Sequence, residues 1–186
     1  PDHADDHGCE GTAADQHRPA FDEAFPEFSL RMRRQWENAL LRWLQQQQDT
    51  ELLAPLRAVC EMLYNRLERL ELRRLWWIAH RVIGGLLDGV TENDMHLRRL
   101  FARLHLIIKS LSEGGEAATE AESANALAQA LLFHIAQAKP GSAGVDELRE
   151  RYHLQELVPD RDVLIRARGA VTGRNRELYT SLGAAI

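Results

Sequence analysis

Arg73, Arg74, Trp77 and Arg81 fall on one phase of a helical run. Guanidinium groups gathered around an indole suit the binding of an acidic protein surface, where a partly desolvated aromatic anchors and the cations steer. Trp76 is about 100° away around the helix and shares its phase with Leu72, Ala79 and Ile83, which points it into a core. For Trp77 a plainer reading stays open, in which C-terminal segments bury it. His80 lies at the margin of the same apolar stripe, where a structural histidine sharing a hydrogen bond is ordinary. His3, His7, Cys9 and His17 are metal-ligating types, and His3 and His7 have i,i+4 spacing. Gly8 and Gly11 argue against a helix there, so the group reads as part of a solvated arm and no metal is expected. His96 and His105 are nine residues apart, too far to share a ligand. His134, beside Phe133 and Ile135, reads as packed, and His153 as sitting near a helix end. Glu61 with Glu68 or Glu71 reads as helix-surface acids paired with arginines rather than an acid–base pair. No G-x-S-x-G elbow, G-x-x-x-x-G-K-[ST] loop or G-x-G-x-x-G turn is present, so no catalytic residue and no cofactor is expected.

The elements that must hold these residues are helices. The 186 residues include only 6 prolines and 12 glycines, with 45% hydrophobic and 27% charged residues, the balance of a helical globular protein. No apolar run approaches the ~20 residues that would cross a bilayer, so no membrane insertion is expected. Cys60 on an apolar stripe and Cys9 in a polar arm make no disulfide framework and suit a reduced, cytoplasmic setting. The chain starts at Pro1, which reads as a region of a longer protein.

The net charge of −5 is unevenly spread. Residues 1–27 carry eight acids against one base, Arg18, whereas residues 66–109 carry nine bases against five acids. That basic stretch reads either as a mixed, solvated helix surface or as a face that docks an acidic partner and holds the acidic arm when unoccupied. Nucleic acid is not expected, because the chain is acidic and carries no recognised module.

Residues 1–27 lack periodicity and form an acidic linker or arm; residues 28–186 form an all-α bundle. The spacing of Met32, Trp36, Leu40, Trp43 and Leu44 predicts a first helix over 28–48. A second starts near 50, with Thr50 as its cap, and carries Leu56, Val59, Cys60, Leu63 and Leu67. No Gly or Pro marks a break at 68–72. A turn there is preferred, with a third helix over 72–88, because a hairpin buries both stripes; one continuous helix is the alternative. Asp88-Gly89 closes the third helix, and Asn93 or Asp94 caps a fourth over 94–112. These four make an up-and-down core. A connector over 113–121 leads to C-terminal helices at 122–138, 145–152, 160–171 and 174–185.

From about residue 28 the chain resembles the second helical domain of the FimL family and the corresponding region of the ChpA/PilL kinases. The resemblance rests on Leu75-Trp76-Trp77-Ile78-Ala79, Leu86-Leu87-Asp88-Gly89 and Leu100-Phe101-Ala102-Arg103-Leu104 with Ile107-Ile108-Lys109-Ser110-Leu111. Downstream it continues in Leu131-Leu132-Phe133-His134-Ile135-Ala136, then Asn175-Arg176-Glu177-Leu178. It implies a bundle resembling a histidine phosphotransfer domain, and scaffolding in type IV pilus assembly, twitching motility and cyclic-AMP-linked signalling. The implied setting is cytoplasmic, at the cell pole.

Active bundles of that kind carry H-x-L-K-G, and two registers compete for it. Glu61-Met62-Leu63-Tyr64-Asn65 places Glu61 at the phosphoacceptor position, where it cannot form phosphohistidine. His80-Arg81-Val82-Ile83-Gly84 keeps the histidine and glycine but puts Ile83 at the lysine. The reading is a non-enzymatic interaction domain that docks a response regulator or polar scaffold protein, with Arg73, Arg74, Trp77 and Arg81 as its contact residues. The alternatives are a working phosphotransfer domain using His80, and a dimerisation segment of a large hybrid histidine kinase that makes homo-oligomers.

Overall fold

The computed structural model describes residues 23–46 and 48–154, and no strand occurs among them. Six α-helices carry the fold: α1 Phe25–Gln45, α2 Ala54–Arg66, α3 Leu70–Leu87, α4 Met95–Gly114, α5 Ala121–Ala136 and α6 Ala143–Arg151. Short 3-10 turns at Thr50–Leu53 and Glu116–Ala118 precede α2 and α5. The segments 160–171 and 174–185 lie outside the described residues.

Each helix forms where its apolar stripe recurs at helical spacing. On α1, Phe28, Met32, Trp36, Ala39 and Trp43 are buried; on α4, Leu97, Leu100, Phe101, Leu104, Ile107, Ile108 and Leu111. Trp36 sits where three stripes meet. Its ring is edge-on to Trp76 of α3 at 5.8 Å and to Phe101 of α4 at 6.1 Å, while Trp43 lies 5.3 Å from Phe101. Edge-to-face aromatic pairs of this kind add about 0.5–1.5 kcal/mol each beyond their burial.

The chain turns between α2 and α3, as the hairpin argument requires, but without Gly or Pro. Leu67 and Arg69 adopt extended backbone, and Leu67 still buries its side chain. The N-terminus of α3 is capped from a distance: the Glu116 carboxylate accepts from the backbone N–H groups of Glu68 and Arg69 at 2.9 and 2.8 Å. Before α2 the cap is Asp49 rather than Thr50, its side chain accepting from Glu51 N–H. At α4 it is Asp94, accepting from Leu97 N–H at 2.7 Å. Gly89, at φ +71°, closes α3 where a side chain would be strained.

The helices close a ring in the order α1, α2, α3, α5, α4. The Cα atoms of α3 and α4 do not come within 8 Å of each other, while α5 packs against both. The fifth helix is therefore part of the core, with Ala124, Leu127, Ala128, Leu131 and Ile135 buried. Helix α6 packs outside α3 and α5. This packing depends on Gly85: a Cβ there would lie 2.5 Å from Thr91 Oγ1 and 2.7 Å from Val145 Cγ2. The loop after α3 is tied to the same point, since the N–H groups of Val90 and Thr91 both donate to the Gly85 carbonyl.

Candidate functional site

Helix α3 is the central element and shows solvent one narrow strip. Leu72, Leu75, Trp76, Ile78, Ala79, Val82, Ile83, Gly85 and Leu86 are buried, leaving Arg73, Arg74, Trp77, His80, Arg81 and Gly84 along the opposite side. Helix α2 flanks this strip on one side, and α6 with the start of α5 flanks it on the other. The strip with the side chains that border it from α2, α5 and α6 is the α3 cleft.

On the α2 side, the Arg73 guanidinium lies over the Tyr64 ring at 5.3 Å, and Arg57 Nε donates to His80 Nε2 at 3.1 Å. Gly84 is one turn beyond His80, and the nearest atom to a Cβ placed on it is Arg57 Cζ at 4.0 Å. Arg57 therefore lies against both residues. Burial pushes the His80 pKa below its ordinary 6.5; Arg57 and Arg81 push the same way, and Glu61 opposes them. His80 is thus a neutral ring that accepts at Nε2.

On the other side, two cations lie over the Trp77 ring. Arg81 lies 5.4 Å from its ring centroid and Arg151 of α6 lies 4.9 Å away. Arg81 also pairs with Glu147 of α6 at 2.8 Å, and Gly144 lets its aliphatic stem pack close, with a Cβ there 3.1 Å from Arg81 Cδ. Arg74 donates to Asn125 Oδ1 of α5 at 2.8 Å. Among the described residues, Arg57, Arg73, Arg74 and Arg151 have no carboxylate partner. The cleft therefore holds more positive charge than it neutralises.

The four residues picked from the helical phase thus share one cleft, and Trp77 is half-buried: flanked by arginines and partly covered by α6. The cleft's other cations, Arg57 and Arg151, had no sequence signal, because each is an ordinary polar position on its own helix and joins the site only through packing. Glu61 is exposed on α2 and within electrostatic reach of His80. Ile83, at the lysine position of the His80 register, is fully buried in the core.

The remaining candidates are scattered. The His96 and His134 rings lie 6.0 Å apart; His134 is 8% exposed and bonds the Glu92 carbonyl through Nε2 at 3.3 Å. His105 lies 3.7 Å from Glu37. His153 adopts φ +50° just after α6, its N–H donating to the Glu150 carbonyl. Glu71 bonds Arg69, while Glu68 meets Glu116 through its backbone. Cys60 is a free, buried thiol whose pKa burial drives far upward. His3, His7, Cys9 and His17 lie outside the described residues; among those described, no group of three or more His, Cys, Asp or Glu side chains could hold a metal ion. Nor is any described helix long and apolar enough to cross a membrane.

No curated protein and no solved structure matches the chain. Residues 21–164 match the family described as FimL scaffold protein second domain, a span that takes in the six described helices and the whole cleft. The chain belongs to that family.

Proposed function

We propose that this scaffold domain docks an acidic surface of a response regulator or polar scaffold protein in a type IV pilus chemosensory system. The setting is the cytoplasm at the cell pole, and the output is twitching motility and cyclic-AMP-linked signalling. Docking takes place in the α3 cleft without covalent chemistry. The observation that carries this reading is the Trp77 ring with Arg81 and Arg151 against it, on the same strip of α3 as Arg73, which like Arg57 and Arg151 has no carboxylate partner among the described residues. An aromatic held by cations at the centre of a charged cleft is the composition of an interface hot spot. The test is to titrate the system's response regulators and polar scaffold proteins into the domain while following Trp77-dependent fluorescence. The reading expects one of them to bind, and to lose at least tenfold in affinity to Trp77→Ala. Binding that ignores Trp77→Ala rejects the cleft as the docking site.

One observation favours a second reading, phosphoryl uptake at His80. The ring is neutral, Arg57 sits at its nitrogen, and Gly84 leaves space one turn on. Nε2 would attack phosphorus, forming an N–P bond as the donor's bond to phosphorus breaks, while Arg57 moves from Nε2 to the phosphoryl oxygens. Incubation with phosphoramidate, which releases ammonia on transfer, should leave one acid-labile phosphoryl group on the wild type and none on His80→Gln. An unmodified wild type excludes it and leaves docking as the role of the cleft.

A further inference from the structure

We propose that the paired outer faces of α1 and α4 form a second binding surface, which takes the headgroup layer of an anionic membrane. This surface is separate from the docking reading, since neither helix borders the α3 cleft and neither packs on α3.

The two helices run antiparallel. Arg33 of α1 reaches Ser112 and Glu113 near the end of α4, whereas Trp43 meets Phe101 in its first half. Both helices bury an apolar stripe, yet each also carries large apolar side chains on its outer side. Leu41 is 57% exposed, and Met95 and Leu106 are each 60% exposed. On α4, Met95, Arg99, Arg103 and Leu106 recur at helical spacing and share one side of the helix. On α1, Leu30, Arg34 and Leu41 do the same.

Charge decides what this face can take. Together α1 and α4 carry eight Lys or Arg against three acids. Two of those acids are already engaged: Glu37 pairs with Arg33 at 2.9 Å, and Glu113 lies 3.3 Å from Arg33 and 4.0 Å from Lys109. The third, Glu27, sits in the first turn of α1. On neighbouring α5, Glu120 lines a hollow with Arg103 and Leu106, its carboxylate accepting from the Ser123 hydroxyl at 3.3 Å. Arg34, Arg99 and Arg103 are exposed and have no carboxylate partner among the described residues. The face is therefore basic, with its apolar side chains standing out separately between arginines. A rigid protein partner would need a pocket for each of them. A headgroup layer yields to all of them, while its phosphates meet the guanidiniums.

The test is co-sedimentation of the intact chain with phosphatidylcholine vesicles, made with and without phosphatidylglycerol. Binding is expected only where phosphatidylglycerol is present, and is expected to vanish at about 0.5 M salt, where the screening length falls to roughly 4 Å. An arginine near an anionic surface is worth about fivefold in partition, so Arg99→Gln/Arg103→Gln should weaken binding at least tenfold. Leu41→Ser/Leu106→Ser should weaken it several-fold, and Arg73→Gln/Arg151→Gln in the α3 cleft should leave it nearly unchanged. All three variants should keep the helical circular dichroism of the wild type. Absence of binding, equal binding to both vesicle types, or an equal loss in the cleft variant overturns the proposal. So does a chain that ignores vesicles but sediments as a dimer, returning to monomer with Leu41→Ser/Leu106→Ser; the face would then belong to a second copy. None of these results touches partner binding, which Trp77→Ala tests without lipid.

Discussion

Glu116 and Arg69 hold each other's backbone across two loops. The Glu116 carboxylate accepts from the N–H groups of Glu68 and Arg69, and the Arg69 guanidinium donates to the carbonyls of Glu116 and Thr119 at 2.6 and 2.7 Å. This reciprocal clasp fixes the start of α3, and with it the register of the cleft-facing strip. Glu116→Ala leaves the N–H groups of Glu68 and of the N-cap Arg69 without their acceptor and should cost about 1–2 kcal/mol. Thermal melting should show a fall on the order of 3–8 °C. An unchanged Tm would mean that the cap contributes nothing.

Two adjacent glycines should respond in opposite ways. At Gly85 a methyl group collides with Thr91 and Val145, both on segments pinned to α3, so Gly85→Ala should cost about 1–3 kcal/mol and loosen α6. At Gly84 the nearest atom is 4.0 Å away, so Gly84→Ala should gain about 0.5–1 kcal/mol from helix propensity. Denaturant titration of both variants checks this. Equal effects in either direction would contradict the packing described.

The histidines give the pH dependence a sign. Burial lowers the pKa of both His80 and His134 below 6.5. The unfolded chain therefore takes up protons before the folded one does. Stability should be flat above about pH 7 and fall as pH drops through 6.5 toward the lowered folded values. His80→Gln and His134→Gln should each reduce this slope in urea denaturation from pH 7.5 to 5.5. A slope that neither variant alters would assign it to other groups.

Among the described residues, Glu147 is the one acid paired with a cleft arginine. The Arg81–Glu147 bridge is partly exposed, with side chains 28% and 45% accessible, so it should contribute less than about 1 kcal/mol to stability. Glu147→Gln should leave Tm nearly unchanged while freeing Arg81, tightening an acidic partner several-fold and steepening the salt dependence of binding. Weaker binding would show instead that Glu147 itself meets the partner.

Much of this architecture is legible in the sequence, because stripes such as Leu56, Val59, Cys60, Leu63 and Leu67 recur at helical spacing whatever they pack against. The turn before α3 could be argued only from the hairpin's gain in burial. In the structure it is held by Glu116, a residue nearly fifty positions away. The place of α5 between α3 and α4 was equally hidden: its stripe announces a buried helix but not which neighbours cover it. The site divides in the same way. Trp77 and its arginines follow from one helix's phase, whereas Arg57 and Arg151 enter only once three helices are packed together.

The docking role of the cleft is the claim on which the rest depends, and charge reversal at its floor tests it most directly. The measurement is calorimetric titration of the bound response regulator or scaffold protein into the wild type, into Arg73→Glu/Arg81→Glu, and into Arg99→Glu/Arg103→Glu on the outer face of α4 as an equal-charge control. The account predicts that reversal in the cleft weakens binding at least tenfold while the α4 control changes it by less than about threefold. Equal losses in the two variants, or a loss confined to α4, would contradict it.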